Sequence, residues 1–275
     1  MNTTIQYKNA IYGFAIGDAL GVPYEFKDRG SFECTEMTGH GAWDQPTGTW
    51  SDDTSMTIAT SKSLKDNDGN INIEDMTRNF HLWADDEKFT CNGDLFDIGM
   101  ATSTALDTGK SQTGEHDNGN GSLMRILPLA FTGCTDDEIR AVSAITHGHE
   151  ISMQACVIYV HIARRLMAGE PIKEIIPTLK YDKPFDRLCI IDQLTEDEIR
   201  SGGYVVETLE ASLWALANSS SFEETVLKSI NLGRDTDTTG AVCGGLAGIV
   251  YGLDSDFAKA CLSKLRNKEL IEKCI

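Results

Sequence analysis

Apolar residues recur at helical spacing along almost the whole chain, whereas alternating runs of β-branched residues are few. This pattern predicts an all-α protein. The predicted helices cover residues 7–20, 55–65, 74–84, 98–107, 122–131, 136–146, 150–168, 204–217, 222–231, 238–251 and 255–266. The segment 150–168 is apolar on nearly all sides, which is typical of a central buried helix.

The predicted helix 238–251 is rich in small residues and contains Gly240, Gly244, Gly245 and Gly248. Glycine weakens a helix, so this density indicates close approach of a neighbouring helix or of a ligand to the backbone. No Pro/Ser-rich linker, charge block or repeat of constant period divides the chain. We therefore expect a single domain, 1–275.

Two acidic clusters, each at the start of a predicted helix, lie far apart in the chain. Residues 51–54 read Ser-Asp-Asp-Thr, and residues 234–238 read Arg-Asp-Thr-Asp-Thr. A helix N-terminus presents unpaired N–H groups and the positive end of the helix dipole, so it holds carboxylates in a defined direction. Carboxylates and hydroxyls are hard oxygen ligands, and the two clusters together could hold magnesium or manganese. Taken singly, each cluster is also typical of an ordinary N-cap.

Three long loops, 27–49, 89–97 and 109–121, are rich in Gly, Asn and Asp. Loops of this length in a helical domain usually carry function. Residues 117–122 read Asp-Asn-Gly-Asn-Gly-Ser, just before a predicted helix. Such a loop can turn backbone N–H groups toward an anion such as a phosphate. A flexible turn capped by Ser122 is the alternative.

Composition excludes several classes of protein. The net charge of -18 and the sequence pI of about 4.6 argue against binding to a nucleic-acid backbone, which requires clustered Lys and Arg. No stretch approaches the ~20 apolar residues of a membrane span, and we interpret the apolar run 10–17 as a buried helix rather than part of a signal peptide. The eight cysteines lie far apart and never form Cys-x-x-Cys, which is typical of reduced thiols in a cytoplasmic protein.

Six blocks of sequence stand out at residues 17–26 (GDALGVPYEF), 50–56 (WSDDTSM), 119–125 (GNGSLMR), 146–147 (TH), 203–211 (GYVVETLEA) and 233–240 (GRDTDTTG). Together, and in this order, they resemble the ADP-ribosylglycohydrolase family. The resemblance runs from about residue 10 to residue 252. It implies a compact orthogonal helical bundle with two Mg²⁺ or Mn²⁺ ions at the bottom of a cleft that binds ADP-ribose.

The same resemblance implies roles for particular residues. Glu25 would lie beside the metal ions, near the bond that is cut, as the best candidate for proton transfer. The implied catalytic residues are Glu25, Asp52, Asp53 and Asp237. The implied metal ligands are Ser51, Asp52 and Asp53 for one ion, and Asp235, Asp237 and Thr238 for the other. The implied substrate-binding residues are Asp97, Gly99, Asn118, Gly119, Asn120, Gly121, Ser122, His147 and Tyr204. Ser51 departs from the threonine of many members but keeps the hydroxyl ligand.

The resemblance implies hydrolysis of ADP-ribose conjugates, with an ADP-ribosylated protein or small molecule as substrate and ADP-ribose as product, by a monomer. The block at 203–211 resembles the arginine-directed branch, so we expect the arginine linkage; serine, nucleic-acid and small-molecule linkages are alternatives. A non-catalytic reader of ADP-ribose is a second class. A third is a metal phosphohydrolase in which His81 and Asp235 complete a set with His116 and Asp117, although that set requires its His-Asp pair on a helix rather than in a loop.

Overall fold

The computed structural model describes residues 3–275, and the all-α fold predicted from the sequence is confirmed. Within this range three isolated β-bridges occur outside the helices. The α-helices are α1 (Thr3–Gly21), α2 (Asp52–Asp66), α3 (Ile73–Asp86), α4 (Met100–Thr108), α5 (Asp136–Ser143), α6 (Glu150–Met167), α7 (Ile172–Ile175), α8 (Val205–Ala217), α9 (Phe222–Ile230), α10 (Thr236–Tyr251), α11 (Asp256–Lys264) and α12 (Lys268–Cys274). Short 3₁₀ segments lie at Val22–Tyr24, Gly41–Trp43, Asn120–Arg125, Leu127–Phe131, Ile176–Thr178, Leu188–Gln193 and Glu196–Glu198.

The largest helix–helix contact in the described range joins α1 and α10, which run antiparallel with their backbones touching. A Cβ atom built on Gly17 would lie 2.0 Å from the carbonyl oxygen of Gly240. A Cβ on Gly244 would lie 2.4 Å from that of Gly13. The glycines predicted to permit close approach in the last third of the chain therefore face a second glycine row on α1, because no side chain fits between the two helices.

Other helices surround this pair. Helices α8, α9 and α6 pack on α10, and α6 is largely buried, as its apolar sequence predicts. The Tyr159 hydroxyl of α6 donates a hydrogen bond of 2.8 Å to the Val242 carbonyl of α10. No helix between residues 3 and 275 combines the length and the apolar character that crossing a bilayer requires.

One predicted helix, 122–131, is wrong. The structure has two 3₁₀ segments there, Asn120–Arg125 and Leu127–Phe131. Pro128 has no N–H to donate and disfavours a helical conformation in the residue before it, so an α-helix cannot continue through this position. Helices α7 and α12 were not predicted, because their apolar residues are too few to show a helical period.

The α1–α10 contact leads to a stability prediction. We expect Gly17→Ala to lower the free energy of unfolding by about 2 kcal/mol or more, because the added Cβ would force the two backbones apart. Helix propensity alone would favour alanine, so the sign of the effect separates the two causes. Urea denaturation measures it.

Gly133→Ala is the matched control for this measurement. Its Cβ would meet nothing within 4 Å, so we expect a change within about 0.5 kcal/mol, as for an ordinary surface substitution. Equal stability of the Gly17→Ala protein and the wild-type protein would contradict the backbone contact.

Candidate active site

The two acidic clusters meet. The N-terminal ends of α2 and α10 lie side by side, and the Thr238 hydroxyl donates a hydrogen bond of 3.3 Å to Oδ2 of Asp53. The same oxygen accepts a bond of 3.1 Å from the hydroxyl of Ser51, which is the N-cap of α2. These residues are buried, and so is Asp52 beside them. Residues separated by most of the chain thus form one acidic cluster at two helix N-termini.

Asp18, which the sequence analysis did not place in the site, holds α2 in position. This carboxylate projects from α1 and is fully buried. It accepts hydrogen bonds from the backbone N–H groups of Ser51 (2.9 Å) and Thr54 (3.0 Å) and from the Thr54 hydroxyl (2.6 Å). Because these N–H groups have no partner within α2, Asp18 caps the helix from a neighbouring helix. Its signal in the sequence is a single aspartate inside an apolar helix.

The start of α10 is fixed against the end of α1. The Thr236 hydroxyl donates a hydrogen bond of 2.8 Å to the Gly21 carbonyl, and a Cβ on Gly21 would lie 2.4 Å from Cα of Asp237. Arg234, just before the helix, has a left-handed backbone and turns outward to pair with Asp28 at 2.5 Å. The one arginine of residues 234–238 therefore pairs with Asp28 and leaves Asp235 and Asp237 without a cationic partner.

Glu25 follows the 3₁₀ segment Val22–Tyr24 at the end of α1 and joins the acidic cluster. Carboxylate oxygens of Glu25, Asp97 and Asp237 all lie within 4.8 Å of one another. The indole N–H of Trp43 donates a hydrogen bond to Glu25. Trp43 was not predicted as a site residue, because nothing in the sequence connects its loop with Glu25. The structure therefore brings together the acidic residues that the family resemblance singled out.

Burial and mutual repulsion raise the pKa values of this group. Burial, with the charge of Asp97 adding to it, raises the pKa of Glu25 to about 8, and the Trp43 N–H opposes that rise. Burial raises the pKa of Asp97 to about 6, and the negative charge of Asp235 adds to this rise. Burial also raises the pKa values of Asp52, Asp53 and Asp237 well above their usual range. The cluster holds more negative charge than its surroundings compensate.

The residues present fit a divalent cation. Within residues 3–275 none of these carboxylates forms an ion pair. Oδ1 of Asp53 and Oδ2 of Asp237 are buried and accept no hydrogen bond. A buried carboxylate oxygen without a donor is costly. A cation with oxygen ligands would satisfy both atoms and relieve the repulsion.

A cleft of about 370 Å³ opens onto the acidic cluster. Of the predicted site residues, those that line it are Glu25, Asp52, Asp97, Gly99, Gly119, Asn120, Gly121, His147, Asp235 and Thr238. The Asn120 side chain donates to Oδ2 of Asp235 at 2.7 Å and to the Thr208 hydroxyl at 2.9 Å. The glycine-rich loop is also tied by its backbone to residues 203–205, because the Asn120 N–H donates to the Gly203 carbonyl. The loop is thus a fixed wall of the cleft.

Three predicted substrate-binding residues lie outside this cleft. The Ser122 hydroxyl is fully buried behind the loop and accepts a bond from Ser143. Both ends of the Asn118 amide are bonded within the protein, to Ser152 and to the Glu115 carbonyl. Tyr204 lines an adjoining cavity of about 530 Å³, which shares Gly119 and Gly203 with the first. The side chains of Ser122 and Asn118 therefore shape the loop rather than face the cleft.

A buried relay orients His147. The guanidinium of Arg125 donates to the Thr146 hydroxyl oxygen at 2.8 Å, and this hydroxyl lies 2.7 Å from Nδ1 of His147. The buried Thr146 hydroxyl has Nδ1 as its hydrogen-bond acceptor, so we assign the hydroxyl proton to that bond and the imidazole proton to Nε2. Burial and the nearby Arg125 lower the pKa of His147 to about 3. A neutral imidazole thus presents an N–H beside Gly121, where a Cβ would lie 2.8 Å from the ring.

The phosphohydrolase alternative does not fit this geometry. His116 and Asp117 line the cleft, but they lie in a loop, where Asp117 accepts a bond from the Gly114 N–H. His81 lies on α3 and bonds Asp85 at the surface, away from Asp235. The four residues therefore do not form one ligand set.

Comparison with known proteins identifies the protein family to which the chain belongs. The model of the ADP-ribosylglycohydrolase family matches residues 2–275, so the chain belongs to that family. The family resemblance seen in the sequence is thus confirmed, and so is the expected class of enzyme, an ADP-ribosyl glycohydrolase. A solved structure described as an ADP-ribosylglycohydrolase-related protein complex superposes with a TM-score of 0.82 at 29% identity, covering 99% of this chain and 96% of that chain.

Two curated relatives are informative. The ADP-ribosylarginine hydrolase Tri1 of Pseudomonas putida (strain GB-1) is 33% identical over 266 residues, which cover 90% of this chain and 70% of that protein. The ADP-ribosyl-[dinitrogen reductase] glycohydrolase of Rhodospirillum rubrum is 31% identical, covering 94% of this chain and 90% of that protein. Both similarities therefore extend over almost the whole of this chain.

The uncompensated charge leads to a prediction for Asp237→Asn. We expect the metal-free variant to be more stable than wild type by about 1 kcal/mol, because the substitution removes one buried charge while Oδ1 still accepts from the Thr238 N–H. Adding Mn²⁺ should reverse the order, since only wild type would then gain binding energy. Thermal unfolding with and without Mn²⁺ measures both effects.

Asp75→Asn is the matched control, because Asp75 is a buried carboxylate with partners. It accepts from Ser63 and Asn67 and pairs with Arg78. We expect this variant to lose about 1 to 3 kcal/mol, with or without Mn²⁺. Destabilisation of metal-free Asp237→Asn by a similar amount would show that Asp237 is a structural cap.

The relay to His147 leads to a pH prediction. Its pKa is lowered from 6.5 to about 3, so the unfolded chain binds the proton more readily and stability is lost as the pH falls from 6.5 toward 3. We expect ¹⁵N NMR to show His147 protonated at Nε2 alone from about pH 4 upward. Thr146→Val should weaken the preference of the proton for Nε2. The ¹⁵N signals that disappear in His147→Gln are those of His147. A doubly protonated ring at pH 6 would contradict the relay.

Proposed function

We propose that this protein hydrolyses the bond between ADP-ribose and the guanidinium group of an arginine side chain, with two Mg²⁺ or Mn²⁺ ions in its acidic cluster. The observation that carries the proposal is the meeting of the two helix N-termini, where Asp53 and Asp237 each keep a buried oxygen without a donor. Relatives that are 31–33% identical, two named ADP-ribosylarginine hydrolase and one named ADP-ribosyl-[dinitrogen reductase] glycohydrolase, support the class of substrate.

The proposed ligands of one ion are Ser51, Asp52 and Asp53, and those of the other are Asp235, Asp237 and Thr238. Two buried oxygens without donors, and carboxylates without ion pairs within the described range, support this assignment. When bound, the ions would supply positive charge that orients the ribose hydroxyls and lowers the pKa of a coordinated water. Magnesium and manganese both suit an all-oxygen ligand set.

The cleft walls provide the proposed ADP-ribose site. Gly119 and Gly121 keep the backbone of the loop open to a diphosphate, and the neutral His147 offers one N–H donor beside them. Asp97 and Gly99 line the same cleft. Because burial and bonding already hold these groups, little order would be lost when the ligand binds.

The proposed reaction is a hydrolysis at the anomeric carbon. A water oxygen forms a bond to C1 of the ribose, and the C1–N bond breaks with its electron pair staying on the guanidino nitrogen. That nitrogen receives one proton from the water, so ADP-ribose and an intact arginine are released. Glu25 is the proposed group that moves this proton, and the nearby carboxylates stabilise the positive charge that develops on the ribose.

The test is turnover of a defined panel of substrates. With Mg²⁺ or Mn²⁺ present, we expect release of ADP-ribose from ADP-ribosyl-arginine, detected by mass spectrometry, and no release after chelation. Glu25→Gln should lower kcat by about 100-fold or more, while the Kd for ADP-ribose changes little, since the loss falls on the transition state. Glu269→Gln, an exposed glutamate of α12, is the control and should match wild type.

Each other outcome assigns a different function. Release from serine- or nucleic-acid-linked ADP-ribose alone would keep the hydrolase and change the linkage. Binding of ADP-ribose without cleavage of any conjugate would make the protein a non-catalytic reader. Full activity in chelator, with no ion bound in calorimetry, would contradict the role of the acidic cluster.

A further inference from the structure

Three aromatic rings stand in a row next to Glu25 and Asp97, just outside the residues that line the cleft. The ring centroids of Phe26 and Trp43 lie 5.8 Å apart, and those of Trp43 and Phe96 lie 5.7 Å apart, with the planes tilted. Phe26 and Trp43 lie in the segment between α1 and α2, and Phe96 lies in the segment between α3 and α4. Two are chain neighbours of cleft carboxylates, since Phe26 follows Glu25 and Phe96 precedes Asp97. The third, Trp43, donates its N–H to Glu25.

Phe26 lies at the surface in a conformation that is unfavourable in free energy. Its residue is 64% exposed, although phenylalanine gains more from burial than most residues. Its backbone is left-handed, with φ at 67°, which is strained for a residue with a bulky side chain. The Phe26 N–H donates a hydrogen bond of 2.7 Å to the carbonyl of Arg234, two residues before α10. Packing alone gives no reason for this arrangement, and such strain is concentrated at functional sites.

The chemistry around the row suits an organic cation. Aromatic faces attract cations, and guanidinium stacks on them more readily than ammonium because it is planar and weakly hydrated. The carboxylates of Glu25 and Asp97 lie at the same end of the cleft, within 4.8 Å of each other. The row therefore offers π-faces beside the carboxyl groups of Glu25 and Asp97, whereas the loop of Gly119–Gly121 offers backbone and a neighbouring imidazole N–H.

We propose that Phe26, Trp43 and Phe96 form a subsite for the guanidinium leaving group, which stacks on the aromatic row and faces Glu25 and Asp97. This proposal rests on the proposed function and gives its physical basis for preferring arginine. A serine-linked conjugate carries a neutral oxygen in place of the guanidinium and gains nothing from the row. The row also places the departing nitrogen beside Glu25, the group proposed to move its proton.

The first experiment replaces the π-faces and keeps the apolar bulk. We expect Phe26→Leu and Phe96→Leu each to raise the KM for ADP-ribosyl-arginine about fivefold, which is the range of an exposed cation–π contact. The Kd for free ADP-ribose and the turnover of a serine-linked conjugate should stay unchanged. Phe32→Leu is the matched control, because Phe32 stacks on Tyr24 at 4.7 Å outside the row. Equal effects on both linkages, or none on either, would overturn the subsite while leaving arginine hydrolysis intact.

A second variant separates the ring of Trp43 from its N–H. Trp43→Phe keeps a π-face but loses the hydrogen bond to Glu25. We therefore expect its kcat to fall and its KM for ADP-ribosyl-arginine to stay close to wild type. A change confined to KM would show that this indole acts through stacking only and would overturn the link to Glu25.

A binding measurement decides the subsite even if the proposed function fails. Agmatine carries a guanidinium without ADP-ribose, and its binding can be followed by indole fluorescence and by calorimetry in the presence of ADP-ribose. We expect wild type to bind agmatine, and Phe26→Leu and Phe96→Leu to weaken it about fivefold each. If wild type leaves ADP-ribosyl-arginine intact but shows this pattern, the subsite stands and the hydrolase assignment falls. If agmatine does not bind, or all variants bind it equally, the subsite is overturned.

Discussion

The site depends on a contact between two helix backbones. Side chains normally keep helix axes 8–10 Å apart, but α1 and α10 touch along facing glycines, where even a methyl group on Gly17 or Gly240 would overlap a carbonyl. This contact fixes how far α10 can slide along α1. It therefore fixes where α10 begins, so that Asp237 lies against Gly21 and close to Glu25, which leaves the same helix a few residues later.

Helix α1 also fixes the other half of the site. Its buried Asp18 accepts from the free N–H groups of Ser51 and Thr54 and so anchors the start of α2. One helix thus positions both acidic N-termini, one by glycine contact and one by a carboxylate cap. The hydrogen bond between Asp53 and Thr238 follows from these two anchors, because neither residue's own neighbours in sequence bring it to the other.

The sequence could predict those site residues that also have a local structural role, such as starting a helix or permitting a close helix contact. The two acidic helix N-termini and the glycines of α10 were visible because the start of a helix and a close helix contact both restrict residue type directly. The partner of Glu25 was not visible. Trp43 reaches it only because the chain turns at Gly41, where a Cβ would lie 2.0 Å from the Pro23 carbonyl. The inward turn of Ser122 was missed for a similar reason, since its partner, Ser143, lies on a helix whose approach depends on packing.

The charge of the site explains why the scaffold around it is so constrained. Like charges in a buried cluster repel, and flexible segments would let the carboxylates separate and take up water. Here they sit on helix ends that the glycine contact and Asp18 hold from two sides, so the repulsion cannot relax by movement. A cation with oxygen ligands would relieve it instead, and its binding would require little rearrangement. The repulsion that lowers the stability of the cluster without a cation is therefore the physical source of the cation affinity that we propose.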